Sequence, residues 1–169
     1  MKKVIVTSLI CTSLIILAVS CNNSDNKKTE NMVTENKQNE PVFPLGSRGP
    51  ADWFTGEVYV QSLLNPDQME DLYSVGQVTF MPGGRTHWHT HPIGQTLLVL
   101  EGEGWYQERG KAAQKLVKGS VVPIPKDVEH WHGASAGTKL VHIAISNIAE
   151  GSVVTWMSPV NDGEYNNVN

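Results

Sequence analysis

All six histidines of this chain fall between positions 87 and 142, and the other 113 positions hold none. Three of them alternate in Arg85-Thr86-His87-Trp88-His89-Thr90-His91. Imidazole is the commonest metal ligand of proteins, and in its neutral form it binds an ion without adding charge. On an extended strand, side chains at alternate positions share a face and successive residues rise ~3.3 Å. His87 and His91 would then stand roughly 13 Å apart, too far to share one ion. A neighbouring pair stands roughly 6.6 Å apart and can converge. Strand geometry therefore allows His87 with His89, or His89 with His91, but not all three.

The flanking residues carry a longer pattern. The run Gly83-x5-His89-x-His91-x3-Gln95-x6-Gly102 resembles the first motif of the cupin superfamily, and Gly119-x5-Pro125 followed by His130 resembles the second. That resemblance implies an all-β, double-stranded β-helix barrel of the jelly-roll type. It also implies one divalent ion held by His89, His91, Gln95 and His130, with manganese or iron favoured and zinc, nickel or copper allowed. Three positions depart from the motifs: Gln95 stands where Glu is usual, Asp127 where Gly is, and Ala134 where Asn is. The last two bear on turns. Gln95 bears on chemistry, because three imidazoles and an amide oxygen leave a divalent ion its full charge, which strengthens it as a Lewis acid. The alternative for Gln95 is a hydrogen bond to a neighbour, with three protein ligands remaining.

A narrower likeness adds candidates. The segments around His89, Glu101-Gly102-Glu103-Gly104-Trp105-Tyr106-Gln107, and His130-Trp131-His132-Gly133-Ala134 look like small single-domain cupins. These are similar to the cupins associated with carboxymuconolactone decarboxylase-like domains and to manganese-dependent cupin hydroxynitrile lyases. The likeness runs from about Trp53 to Tyr165. It makes His142 a candidate base, with His132 beside the site on the face of His130. A buried His142 that satisfies only its own hydrogen bonds is the other reading. Gly76, Val78, His87 and Ser146 are pocket candidates. Trp88, Trp105 and Trp131 are expected as an apolar collar or, more plainly, as core. Arg85, Lys126 and Glu129 read as a solvated rim.

The elements that must position these residues are short. Strands are predicted over 57–64, 74–81, 95–101, 104–108, 113–117, 120–124, 129–132, 139–146 and 153–157, with one helical turn near Pro66. No stretch sustains a 3.6-residue period, and Gly and Pro punctuate the runs, which is the texture of an all-β sandwich or barrel. In 139–146 the alternation sets Leu140, His142, Ala144 and Ser146 on one face and Val141, Ile143 and Ile145 on the other.

Length and composition bound the rest. The 169 residues, 40% hydrophobic, suit one globular domain, here residues 45–169. A sequence pI near 5.8 argues against a nucleic-acid partner, which needs clustered Lys and Arg. Cys11 and Cys21 are the two cysteines, so neither a CxxC zinc site nor a disulfide framework exists. Lys2 and Lys3 precede an apolar run over Val4–Val19 that is shorter than the ~20 residues of a spanning helix. This reads as an export signal over 1–20. Its end, Leu17-Ala18-Val19-Ser20-Cys21, resembles a bacterial lipobox, although Leu sits four residues before Cys21 rather than three. Cys21 is the expected lipidation site, an uncleaved anchor helix being the alternative. Residues 21–44 read as a polar, Asn-rich tether.

The expectation is thus a domain held to the bacterial envelope by lipid on Cys21, outside the cytoplasm, and paired as a homodimer by analogy with other cupins. Its partner is a small-molecule substrate. Two reactions suit the site: lyase chemistry of the hydroxynitrile type, and oxygen-dependent cleavage by a dioxygenase. A non-catalytic protein that captures a metal or small ligand at the envelope is the alternative.

Overall fold

The computed structural model describes residues 41–168, so the export signal, Cys21 and most of the tether lie outside the described residues. Twelve strands follow in order. They are β1 (Ser47–Arg48), β2 (Phe54–Thr55), β3 (Val58–Leu64), β4 (Tyr73–Phe80), β5 (Arg85–Thr86), β6 (His89–Thr90), β7 (Gln95–Glu108), β8 (Gln114–Val117), β9 (Val121–Ile124), β10 (His130–Ala134), β11 (Leu140–Asn147) and β12 (Thr155–Trp156). A 3-10 turn spans Pro66–Met69, and a short helix α1 covers Asp162–Asn166. Among the described residues no helix is long and apolar enough to cross a membrane.

Every pairing is antiparallel, and the order β1-β3-β4-β11-β7-β10-β5-β2 curls into a double-stranded β-helix. The long strand β7 forms the corner. Its first half pairs with β11 and β9, and its second half with β10 and β8. The two strands expected over 95–101 and 104–108 are therefore one. The chain bends and continues, because glycine permits both the conformation and the close approach. Gly102 has φ +80°, and a Cβ there would lie 1.8 Å from the Lys139 carbonyl oxygen. A Cβ on Gly104 would lie 2.1 Å from that of Gly133.

The core fills the space between the two walls. Phe54, Val58, Val78, Phe80, Leu97, Val99, Tyr106, Leu116, Val122, Ile124, Ala134 and Leu140 form one buried cluster. A second cluster of Trp88, Trp131, Val160 and Tyr165 lies under the C-terminal segment. Alternation on β10 explains the division: His130 and His132 share one face, and Trp131 takes the other.

Arg85 departs from its expected place on a solvated rim. It is buried, its Nε and Nη2 donate to the Val160 carbonyl at 3.1 and 3.0 Å, and Nη2 also reaches Asp162 at 2.7 Å. The guanidinium lies 4.6 Å from the Tyr165 ring centroid, and the Tyr165 hydroxyl donates to the Ala134 carbonyl at 2.9 Å. These contacts fasten the C-terminal segment across β5 and β10. Lys126 is exposed, and Glu129 pairs with Arg109.

Candidate metal centre and its cavity

Strand register brings the histidines together. His89 on β6 stands opposite His130 on β10, and their ring centroids are 4.2 Å apart. His132, two residues along the same face, lies 5.3 Å from His89 by the same measure. His91 follows β6, where the chain turns, and its ring reaches within 5.1 Å of His89 and 5.6 Å of His130. His142 comes from β11 on the opposite wall, and its Nε2 lies 3.1 Å from His132 Nδ1. His89, His91, His130, His132 and His142 are all buried.

Backbone carbonyls decide which ring nitrogens face inward. Nδ1 of His89 lies 2.9 Å from the His87 carbonyl, Nδ1 of His91 lies 2.6 Å from that of Val153, and Nδ1 of His130 lies 2.8 Å from that of Val128. A carbonyl oxygen only accepts, so each Nδ1 carries the hydrogen and each Nε2 a lone pair. Nε2 of His91, of His130 and of His132 is buried with no hydrogen-bond partner, and so is Gln95 Oε1. The other end of that amide is held, since Gln95 Nε2 donates to Ser146 Oγ at 3.0 Å. Buried acceptors without donors are costly unless something else fills the space between them. A cation is what acceptors alone would suit.

Two ligand sets share His89 and His130. Ligand nitrogens of His89, His130 and His132 lie within 4.8 Å of one another, so three histidines could hold one metal ion. The motif-derived set takes His91 and Gln95 in place of His132. Hydrogen bonding separates the two sets. A carbonyl fixes the tautomer of His89, His91 and His130, whereas His132 is held only by another imidazole, which can serve as donor or acceptor.

Burial keeps the cluster neutral. Desolvation pushes His130 and His142 down to about 4 and holds His89 and His132 well below the ordinary imidazole value. His91 is lowered for the same reason, its bond to Val153 and the neighbouring Gln95 side chain opposing the shift. Burial thus favours the neutral form of all five, the form in which an imidazole can bind a cation.

A cavity of about 340 Å³ opens onto this cluster. Its wall includes His89, His91, Gln95, His132, Ser146, Ala144, Val78 and Val60, with Trp53, Phe54 and Trp156 on one side. Trp53 and Trp156 stack at 5.5 Å with 8° between their planes, and Trp156 lies 4.8 Å from the His89 ring. These indoles occupy the place expected for Trp88, Trp105 and Trp131. Of the two expectations for those residues the plain core reading holds and the collar does not: Trp88 and Trp131 are core on the side of β10 away from the histidines, with Trp105 packed against them. Trp88 and Trp105 instead border a separate cleft of about 510 Å³, where the Arg109 guanidinium sits 3.8 Å over Trp88 and no histidine takes part.

The other expected pocket residues divide. Val78 and Ser146 line the cavity. Gly76 lies between Ser74 and Val78 on the same face of β4 and, having no side chain, adds nothing to the wall. His87 is buried outside the lining, and its amide donates to the Trp53 carbonyl at 2.8 Å. It anchors the segment that carries Trp53. His142 stands behind His132 and does not reach the cavity surface. Asp127 adopts φ +62°, the conformation for which the motif uses Gly, and its amide donates to the His91 carbonyl. Trp53, Phe54, Trp156 and the Val153 carbonyl escaped sequence reasoning. The adjacent pair Trp53-Phe54 before the first long strand was the one available signal.

Comparison with known proteins agrees with this architecture. The family profile of the cupin domain matches residues 76–146. An (R)-mandelonitrile lyase of Granulicella tundricola is 46% identical over 119 residues, covering 70% of this chain and 89% of the relative. The crystal structure of a cupin-like protein from Thermotoga maritima superposes with a TM-score of 0.73 at 46% identity, covering 76% of this chain and 97% of the other. A polyketide cyclase from Streptomyces resistomycificus shares the fold at 16% identity, with a TM-score of 0.52, covering 64% of this chain and 75% of the other.

Proposed function

The chain belongs to the cupin family, and from that premise we propose that it is a metal-dependent lyase that cleaves or forms a small, largely apolar hydroxynitrile. The observation that carries this reading is the convergence of buried acceptors without donors, His91 Nε2, His130 Nε2 and Gln95 Oε1, beside His89. The mandelonitrile lyase relative supplies the reaction class.

In this reading His89, His91, His130 and Gln95 hold one divalent ion, manganese or iron. Such an ion would supply Lewis acidity toward the cyano or alkoxide end of the substrate, undiminished by any anionic ligand among these residues. The protein supplies the rest. Val60, Val78, Trp53 and Phe54 take the apolar body of the substrate and exclude water. His132 faces the cavity with a tautomer that His142 can change, which suits it to receive the substrate hydroxyl proton. As that proton arrives at His132 Nε2, the shared Nδ1 proton shifts toward His142 Nε2. Collapse of the C–O⁻ to a carbonyl then breaks the carbon–cyanide bond, and cyanide leaves with the returned proton. Among the described residues the cavity wall holds no carboxylate to act as base, and Gln95 stands where the motif usually has Glu.

The test is turnover of mandelonitrile to benzaldehyde and cyanide by metal-loaded and chelator-stripped protein, with and without air. Activity restored by manganese or iron, equal under anaerobiosis and lost in His132→Ala, is the expected outcome. Turnover that requires oxygen points to the dioxygenase reading and contradicts the lyase. Retention of a ligand with no turnover points to a binding protein.

A further inference from the structure

We propose that Ser146 is a positioning residue for the metal centre: it accepts the amide N–H of Gln95 and so keeps the amide oxygen turned toward the imidazoles. This rests on the metal-centre reading above. A glutamine amide has two unlike ends, a carbonyl oxygen that can bind a cation and an NH₂ group that cannot. Glutamine as a ligand therefore brings a requirement that a carboxylate, with two oxygens, does not. Whenever Oε1 faces the ion, the NH₂ group must find an acceptor elsewhere, or remain a buried donor without one.

The strands are built to meet that requirement. Gln95 is the first residue of β7 and Ser146 the last but one of β11, and the two stand directly opposite in register. Opposite residues of an antiparallel pair project to the same face, here the cavity face, where both side chains are buried. The Nε2–Oγ bond measures 3.0 Å, and the Oε1 atom it leaves over is buried with no donor. The position of Ser146 on β11 is as important as its hydroxyl, because Ala144, two residues earlier on the same face, has nothing to offer the amide. Groups that hold a metal ligand from behind commonly change affinity by about 10–100-fold when removed.

A manganese(II) chloride titration against a fluorescent chelator tests this in four proteins: wild type, Ser146→Ala, Gln95→Ala and the double variant. Thermal melts confirm that each is folded. Ser146→Ala is expected to weaken manganese binding about 10-fold or more, and Ser146→Thr, which keeps the acceptor, to restore most of it. In the Gln95→Ala background the same Ser146→Ala change is expected to have no effect, since Ser146 acts through the amide. The proposal is overturned if Ser146→Ala binds manganese as tightly as wild type, or if it loses the same factor in both backgrounds. A wild-type protein that binds no manganese instead removes the metal-centre reading itself, a result distinct from stoichiometric wild-type binding with an indifferent Ser146.

Discussion

Imidazoles at this site are kept neutral by burial and aimed by carbonyls, and both facts have consequences for pH. An unfolded chain protonates its histidines near pH 6.5, while desolvation holds His130 and His142 down to about 4 in the folded state and lowers His89, His91 and His132 as well. As pH falls below 6.5 the unfolded state takes up protons that the folded state refuses, so stability is lost. The metal-free protein is expected to show a melting temperature that declines steadily from pH 6.5 to about 4, followed by calorimetry. A flat profile across that window would mean that the histidines are solvated. Residue spacing made most of this cluster readable in advance, because His89, His91, Gln95 and His130 fall at motif positions. The aiming was not readable. It depends on carbonyls of Val128 and Val153, and a backbone oxygen leaves no mark in residue type.

Strands position the cluster, and they also show where periodicity stops being informative. Long strands such as β4, β7 and β11 were visible because alternation repeats several times within them. Two-residue strands such as β2, β5 and β6 contain no full repeat, and their partners create them. Arg85 illustrates the same limit, since its burial follows from a C-terminal segment 75 residues away that lays Val160 and Asp162 over it. Its two contacts differ in worth. The Asp162 side chain is 88% exposed, so its ion pair is largely screened, whereas the Val160 carbonyl is bonded within a buried setting. In urea denaturation, Arg85→Ala is expected to cost about 2–3 kcal/mol, because a charged donor is removed from a buried acceptor. Asp162→Asn is expected to cost less than about 1 kcal/mol. Equal losses would place the stabilisation in the ion pair instead.

At the scale of the whole molecule, an acidic chain with a basic, apolar beginning carries a cavity whose wall, among the described residues, has no carboxylate. We propose that the domain works outside the cytoplasm, tethered by lipid on Cys21. Cys21→Ser is then expected to release the protein from the membrane fraction and to abolish labelling with a radioactive fatty acid. Continued membrane association without label would favour an uncleaved anchor helix. The fold and the metal-site chemistry do not depend on that address. The metal-site chemistry depends on whether side chains from β6, β7 and β10, with His91 beside them, close on one cation. Elemental analysis of the purified, manganese- or iron-supplemented protein tests this most directly, with His130→Ala measured beside it. The account predicts one ion per chain in the wild type and a near-total loss in the variant. A wild-type domain that stays free of metal after supplementation, or a variant that keeps its ion, would contradict it.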